Sequence, residues 1–391
     1  EEKKLDDKEL NSSLYNQLLY LNDNLEYHLL GNHYFSNLKA IFFSEVVLGL
    51  EDKRLKTFEL IMEQLEEQVL SDGMNFELSP MYHDLMLVDL LDIFNLIQSY
   101  NVDISDQYLG KLKEKILKML NFSCNFRHGD NSLPHFNDVS DQVAPSYKIL
   151  EAYAKTFGFK ALKSSNEIED YKESGYLKVD KNNKILLFDA SSIGPSYIPG
   201  HGHADALSFE FSHLNSLIIV NTGTSTYALS SRREFERSTS AHSTVEINGS
   251  NSSEIWSSFR VGNRAQITHR KYGHENEKVF LEAEHNGYKN ILHRRKIILD
   301  TNDLIVEDKI IGAYSNAVSR FYFHPNVDLV IKNERLYGKV DDFSFSCNLQ
   351  NLDASLEEYF WAPGFNQQQK SKVLKCKVMG GSIRISFNWK N

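Results

Sequence analysis

A helical half followed by an antiparallel β-sandwich, a multidomain α+β chain, is the architecture the sequence predicts. Three observations carry that prediction. Apolar residues recur at the helical period up to about residue 160, the period falls to two after Ser164, and no helical spacer interrupts the later apolar runs. The domain boundaries are placed at 1–164 and 165–391, and 391 residues suffice for two sizeable cores.

In the first half the apolar stripes run Leu14, Leu18, Leu21 and Leu25; Phe35, Leu38, Phe42 and Val46; and Phe58, Ile61, Leu65 and Val69. The same period continues over 79–100, 105–120 and 145–157, with short polar connections such as Ser71-Asp72-Gly73. About six consecutive helices of this kind suit a bundle, solenoid or toroid. Strands are predicted over 185–188, 207–211, 217–220, 244–247, 279–283, 304–307, 319–323 and 382–387, each bounded by turn-forming residues.

Composition excludes several classes of function. Residues 1–160 hold 15 of the 43 Lys and Arg and 26 of the 53 Asp and Glu, leaving 28 and 27 for the remainder, so the net charge of −10 resides in the helical half. Such a chain lacks the basic stripe that nucleic acid demands. No apolar run reaches the ~18 residues of a membrane span; the longest, near Leu85–Leu96, is broken by Asp89 and Asp92. Cys124, Cys347 and Cys376 are widely spaced and contain no CxxC pair. A chain opening on Glu1 rather than Met is expected to be processed or trimmed.

Four polar clusters stand out. In His28-Leu29-Leu30-Gly31-Asn32-His33, Gly31 is expected to end or kink a helix, which makes Asn32 either a cap or a functional amide. In Glu77-Leu78-Ser79-Pro80-Met81-Tyr82-His83, Ser79 reads as an N-cap and Pro80 as the first helical residue. Tyr82 and His83 would then sit in the first turn, where the helix dipole would lower a phenol's pKa. In Gly200-His201-Gly202-His203-Ala204-Asp205, alternation along an extended segment sends both imidazoles to one face, either as a metal clamp with His242 nearby or as a hydrogen-bonded pair. Arg232, Arg233 and Arg237 read either as holders of carboxylates or sulfates or as a solvated charge run.

Together the stretches 24–33, 76–83, 200–205, 223–227 and 241–248 resemble the heparinase II/III-like polysaccharide lyases, a group that includes alginate and heparin-sulfate lyases. The resemblance implies an incomplete (α/α) toroid before the sandwich, a cleft between them, and β-elimination at a uronic acid. It implies that Asn32 and His33 neutralise the substrate carboxylate. Tyr82 would protonate the departing O4 and could serve as base, and His201 would be the alternative base or neutraliser. Tyr227 would be a second cleft tyrosine, with Glu77, His83, Arg232 and Arg237 around the substrate. A structural zinc would be held by His203, His242 and an Asp, in whose place this chain carries Asn221, a poorer ligand.

The partner implied is an acidic polysaccharide or oligosaccharide, and the implied location is periplasmic or secreted. The acidic balance leans toward a non-sulfated polymer such as alginate or a bacterial exopolysaccharide. A glycoside hydrolase using two of Glu26, Glu77, Asp205 and Glu210, or a glycan-binding protein without turnover, are the alternatives.

Overall fold

The computed structural model describes residues 8–389. Six helices occupy the first half: α1 (Lys8–Asp23), α2 (Gly31–Val47), α3 (Glu51–Gln68), α4 (Pro80–Ser99), α5 (Asp106–Asn125) and α6 (Tyr147–Thr156). Successive helices pack as hairpins, α2 with α3 and α4 with α5. Contacts between alternate helices run α2 to α4 to α6 on one side and α3 to α5 on the other, so the helices form two layers. The apolar stripes meet between them, burying Phe42, Phe58, Leu65, Leu87, Leu90 and Ile116 in one cluster.

Gly31 does not end a helix as expected; it begins one, with φ of 49° and the non-glycine Leu30 before it at φ of 56°. Leu78, which precedes the Ser79 cap of α4, is likewise left-handed at φ of 59°. Both helices that aim their first turns at the site described below therefore start from a conformation a leucine rarely adopts.

Two antiparallel sheets follow. The first runs Ile168–Tyr171, Tyr176–Lys181, Lys184–Asp189, Phe209–His213, Ser216–Val220, Ala317–Phe323, Gln369–Lys377 and Ala354–Trp361, with Val245–Ile247 also pairing on Ala317–Phe323. The second runs Asp328–Lys332, Arg335–Val340, Phe343–Asn348, Ser382–Trp389, Asp303–Ile311, Ile291–Leu299, Lys278–Tyr288 and Ile267–Glu275. Their inner faces form a single core that includes Phe188, Phe209, Leu281, Ile297, Val306 and Phe321.

The run of strands is interrupted once, against expectation, by a short helix, α7 (Ser231–Arg237), and a 3₁₀ turn at Thr239–Ala241. The charge run Arg232–Arg237 is that helix, and Arg233 and Arg237 are fully buried rather than solvated. All three cysteines are free.

A third cluster joins the halves: Met74, Leu78, Phe122, Phe126 and Phe136 from the helical side meet Tyr171, Tyr176 and Leu187 from the first sheet. Polar links reinforce it. Ser174 donates from its N and Oγ to Asp72 at 2.8 and 2.9 Å, and Lys178 donates to Asn125 O at 2.7 Å. Residues 126–146, between α5 and α6, have no regular structure and thread between the halves. His128 of this segment meets Glu210 at 2.8 Å, and the backbone of His135 donates to Glu210 at 3.2 Å.

Candidate active site

Tyr82 lies in the first turn of α4, where Ser79 Oγ accepts from Tyr82 N at 3.3 Å and itself donates to Asp138 O at 2.5 Å. The Tyr82 ring stacks on His201, with centroids 3.8 Å apart and planes at 26°. Its hydroxyl lies 3.3 Å from that of Tyr227. Burial, with the carboxylates of Asp138 and Glu77 nearby, pushes the Tyr82 phenol up to about 12. That reverses the expected lowering by the helix dipole. Burial, the Asp138 carboxylate and the Tyr82 hydroxyl raise Tyr227 further.

His201 and His203 are not on a strand, yet they converge, on a residue the sequence did not single out. Asp138 accepts from His201 Nδ1 at 3.0 Å and from His203 Nε2 at 2.9 Å, and Arg233 grips both its oxygens. Burial alone would raise this carboxyl; the Arg233 guanidinium and the two imidazoles overcome that and hold it well below the usual carboxylate range. Asp138 sits in the irregular 126–146 segment, and the available signal was a loop of that length rich in His, Asn and Asp.

Glu77 completes the arrangement from the other side. Its Oε2 lies 3.4 Å from His201 Nε2, and its Oε1 accepts from Asn32 N at 3.4 Å. The carboxylate thus takes one of the unpaired N–H groups at the start of α2, whose own N-cap, Leu30, offers no side-chain acceptor. The approach is close, since a Cβ on Gly31 would stand 2.6 Å from Glu77 Oε1. Burial raises the Glu77 carboxyl.

Glu77 therefore joins Asn32, from the helical half, to His201, from the sandwich half. His33 is the exposed neighbour, 3.6 Å from Glu26. Asn32, Glu77, Tyr82, His201 and Tyr227 are thus brought together, with Asp138 and Arg233 behind them.

Three residues expected around the substrate lie elsewhere. His83 is in the helical core, accepting at Nδ1 from Asn75 N at 3.2 Å and donating at Nε2 to Met119 O at 3.0 Å. Arg237 is spent on backbone carbonyls, those of Gly202, Ser257 and Arg260. Arg232 pairs with Glu236 at 2.7 Å and Phe360 O at 3.0 Å. Of the carboxylates a hydrolase would need, Asp205 and Glu210 are fully buried and already bonded, Asp205 to Asn137 N and Glu210 to His128.

The expected metal ligands regroup. Asn221 is occupied elsewhere, its oxygen accepting from Ser243 N at 2.9 Å and its amide donating to His135 O at 3.2 Å. The acidic group near His203 and His242 is Asp205, and ligand atoms of all three, each buried, lie within 4.8 Å of one another.

Their hydrogen bonds settle the tautomers. His242 Nδ1 lies 2.8 Å from Ser238 O, so it must donate there and leave a lone pair on Nε2. His203 Nε2 donates to Asp138, which leaves a lone pair on Nδ1. Those two lone pairs face each other at 3.2 Å, a contact that a shared proton or a metal ion would relieve. The separation matches the ~3.3 Å edge of a tetrahedron with Zn–N bonds of ~2.05 Å. Burial holds His203 down at about 4, and burial together with His203 lowers His242 well below its usual value, the neutral state ligation requires. The donor set therefore fits a zinc-like ion held by His203, Asp205 and His242.

Comparison with known proteins agrees with this architecture. The family model for the heparinase II/III N-terminus matches residues 5–162, and that for the heparinase II/III-like C-terminal domain matches residues 163–390. A heparin-sulfate lyase of Bacteroides stercoris is 23% identical over 304 residues, covering 72% of this chain and 43% of that protein. Among solved structures, a heparan sulfate lyase of Pedobacter heparinus superposes with a TM-score of 0.72 at 19% identity, over 97% of this chain and 63% of that one. A crystal structure of heparinase III gives a TM-score of 0.76 at 16% identity, over 97% and 64%. The chain thus spans less than two thirds of the length of these relatives. With models of both its halves matched in order, the chain belongs to the heparinase II/III-like family.

Proposed function

We propose that this chain is a polysaccharide lyase that cleaves a uronate-containing glycosaminoglycan by β-elimination, in a cleft between a partial (α/α) toroid and the sandwich. The observation that carries the reading is the meeting of Tyr82, from α4, with His201 and Tyr227, from the sandwich half. Asp138 accepts from His201 Nδ1, so Nε2, which lies 3.4 Å from Glu77 Oε2, is the nitrogen that would turn from that carboxylate to accept the C5 proton of the uronate. The electron pair released forms the C4=C5 bond as the C4–O4 bond breaks. Tyr82, kept protonated by its burial, donates to the departing O4. Asn32 and His33, at the positive end of α2, oppose the charge that develops on the uronate carboxylate.

A zinc-like ion on His203, Asp205 and His242 would supply structural crosslinking of the loops behind His201 rather than chemistry. The printed names of the relatives, heparin-sulfate and heparan sulfate lyases, support a glycosaminoglycan over the non-sulfated polymer suggested by net charge. We place the protein outside the bacterial cytoplasm, in keeping with a polymeric substrate. No helix among the described residues is long and apolar enough to cross a membrane.

The test is incubation with heparan sulfate, chondroitin sulfate, hyaluronan and alginate while ultraviolet absorbance is followed. A lyase makes a conjugated unsaturated uronate, and absorbance rises with each cut. New reducing ends without that rise would mean hydrolysis and would overturn the reading.

A further inference from the structure

Ile255–Trp256 and Arg260–Val261 form a small hairpin that belongs to neither large sheet. Its turn is clamped from α7. Arg233 donates to Ser258 O at 3.1 and 3.0 Å, and Arg237 donates to Ser257 O at 3.2 Å and Arg260 O at 3.3 Å. At their other ends the same guanidiniums hold Asp138, which accepts from His201 Nδ1, and the carbonyl of Gly202, the residue after His201. Both arginines are fully buried, so solvent does not compete for these charge-assisted bonds.

The clamp sets an aromatic side chain at the edge of the cleft. The Phe259 ring lies 6.2 Å from that of His201 and 5.3 Å from that of Tyr227. The Arg233 guanidinium lies over the same ring at 5.4 Å and takes one of its faces, yet Phe259 remains 41% exposed. Trp256, at the base of the same turn, is 49% exposed, whereas Trp361 and Trp389 are each 6% exposed. An exposed aromatic ring on a rigidly held turn beside polar reacting groups is suited to the C–H face of a sugar.

We propose that Phe259 is a stacking platform for a pyranose ring of the acidic oligosaccharide next to the cleaved linkage, with the exposed Trp256 on the same hairpin to report its binding. The platform positions substrate and takes no part in proton transfer. This rests on the lyase reading above.

The experiment uses heparan sulfate for turnover and a heparan sulfate tetrasaccharide for binding, the latter in a Tyr82→Phe background so that the ligand is not consumed. Phe259→Leu, apolar but without a π face, is expected to raise KM about tenfold with kcat within about twofold of the parent. Phe259→Tyr is expected to restore KM, which a role in packing alone would not require. Titration with the tetrasaccharide should change tryptophan fluorescence, and the change should vanish in Trp256→Phe.

A parent KM in Phe259→Leu, or a fluorescence change that survives Trp256→Phe, overturns the platform while leaving the lyase intact. A parent that neither cleaves nor binds overturns the lyase reading, and the platform with it. Should Phe259→Leu fail to fold, Phe259→Tyr and the fluorescence titration still decide.

Discussion

Tyr82 and His83 adjoin in sequence and part company in the structure. A helix turns about 100° per residue, so neighbours cannot share a face; Tyr82 meets Tyr227 and His83 meets Met119. The sequence placed both in the first turn of α4 correctly but could not say which faced the sandwich half. Asp138 was illegible for a different reason. Its role comes from three partners 63, 65 and 95 residues away, and no local pattern announces such a meeting. Asn221 was carried over from the family's pattern, which describes positions rather than side-chain directions.

At this scale, Tyr82→Phe is expected to cost at least ~2.7 kcal/mol of transition-state stabilisation, about a hundredfold in rate, with melting unchanged. Steady-state absorbance kinetics check it, and a rate within threefold of the parent would remove Tyr82 from the chemistry. For the metal, Asp205→Asn is expected to lose bound zinc in elemental analysis. A chelator should lower the parent's melting temperature but leave that of Asp205→Asn where it was. Full zinc content in Asp205→Asn would return the ligand role to another residue.

Among the elements, α4 was the most legible, because Ser79-Pro80 is a local start signal with a physical mechanism. The start of α2 was misread, because Gly31 in isolation signals an ending; what lets it begin a helix is a distant carboxylate, Glu77, that receives the N–H of Asn32. The arginines of α7 read either as holders of an acidic substrate or as a solvated charge run, since a buried Arg is expected only when paired; their partners, Asp138 and the hairpin carbonyls, appear only in three dimensions. Ser79→Ala is expected to cost ~1–2 kcal/mol in denaturant unfolding, because the same hydroxyl caps Tyr82 N and donates to Asp138 O. A loss below about 0.5 kcal/mol would show that the cap is dispensable.

For the whole molecule, the change of period near residue 160 revealed the division into two layers of helices and two sheets, while net charge says little about a ligand because it averages over a surface. The sandwich also hides a charge cluster that alternation explains. Inward positions of Ile291–Leu299 include His293 and Arg295, and both meet Asp308. Here the imidazoles agree: Gly287 N donates to His285 Nδ1, so His285 Nε2 donates to His293 Nδ1, and no ion is called for.

Against the upward push of burial, Arg295 and His293 hold the Asp308 carboxyl below its usual value. Its contribution to stability is therefore present above the unfolded pKa of ~3.9 and is lost as pH falls through the lower folded value. Asp308→Asn should cost ~3–5 kcal/mol at neutral pH by leaving Arg295 buried and unpaired. Melting measured across pH should show the gap between variant and parent narrowing below about pH 4. A constant gap would disprove the linkage.

The irregular strand of backbone between α5 and α6 hangs its Asp138 on histidines and an arginine that the ribosome has yet to make when that aspartate emerges. A half-synthesised chain thus carries a phenol with nothing to stack on and a carboxylate with no cation. The constellation around Asp138 therefore closes only with the finished polypeptide, an assembly order written into the direction of translation.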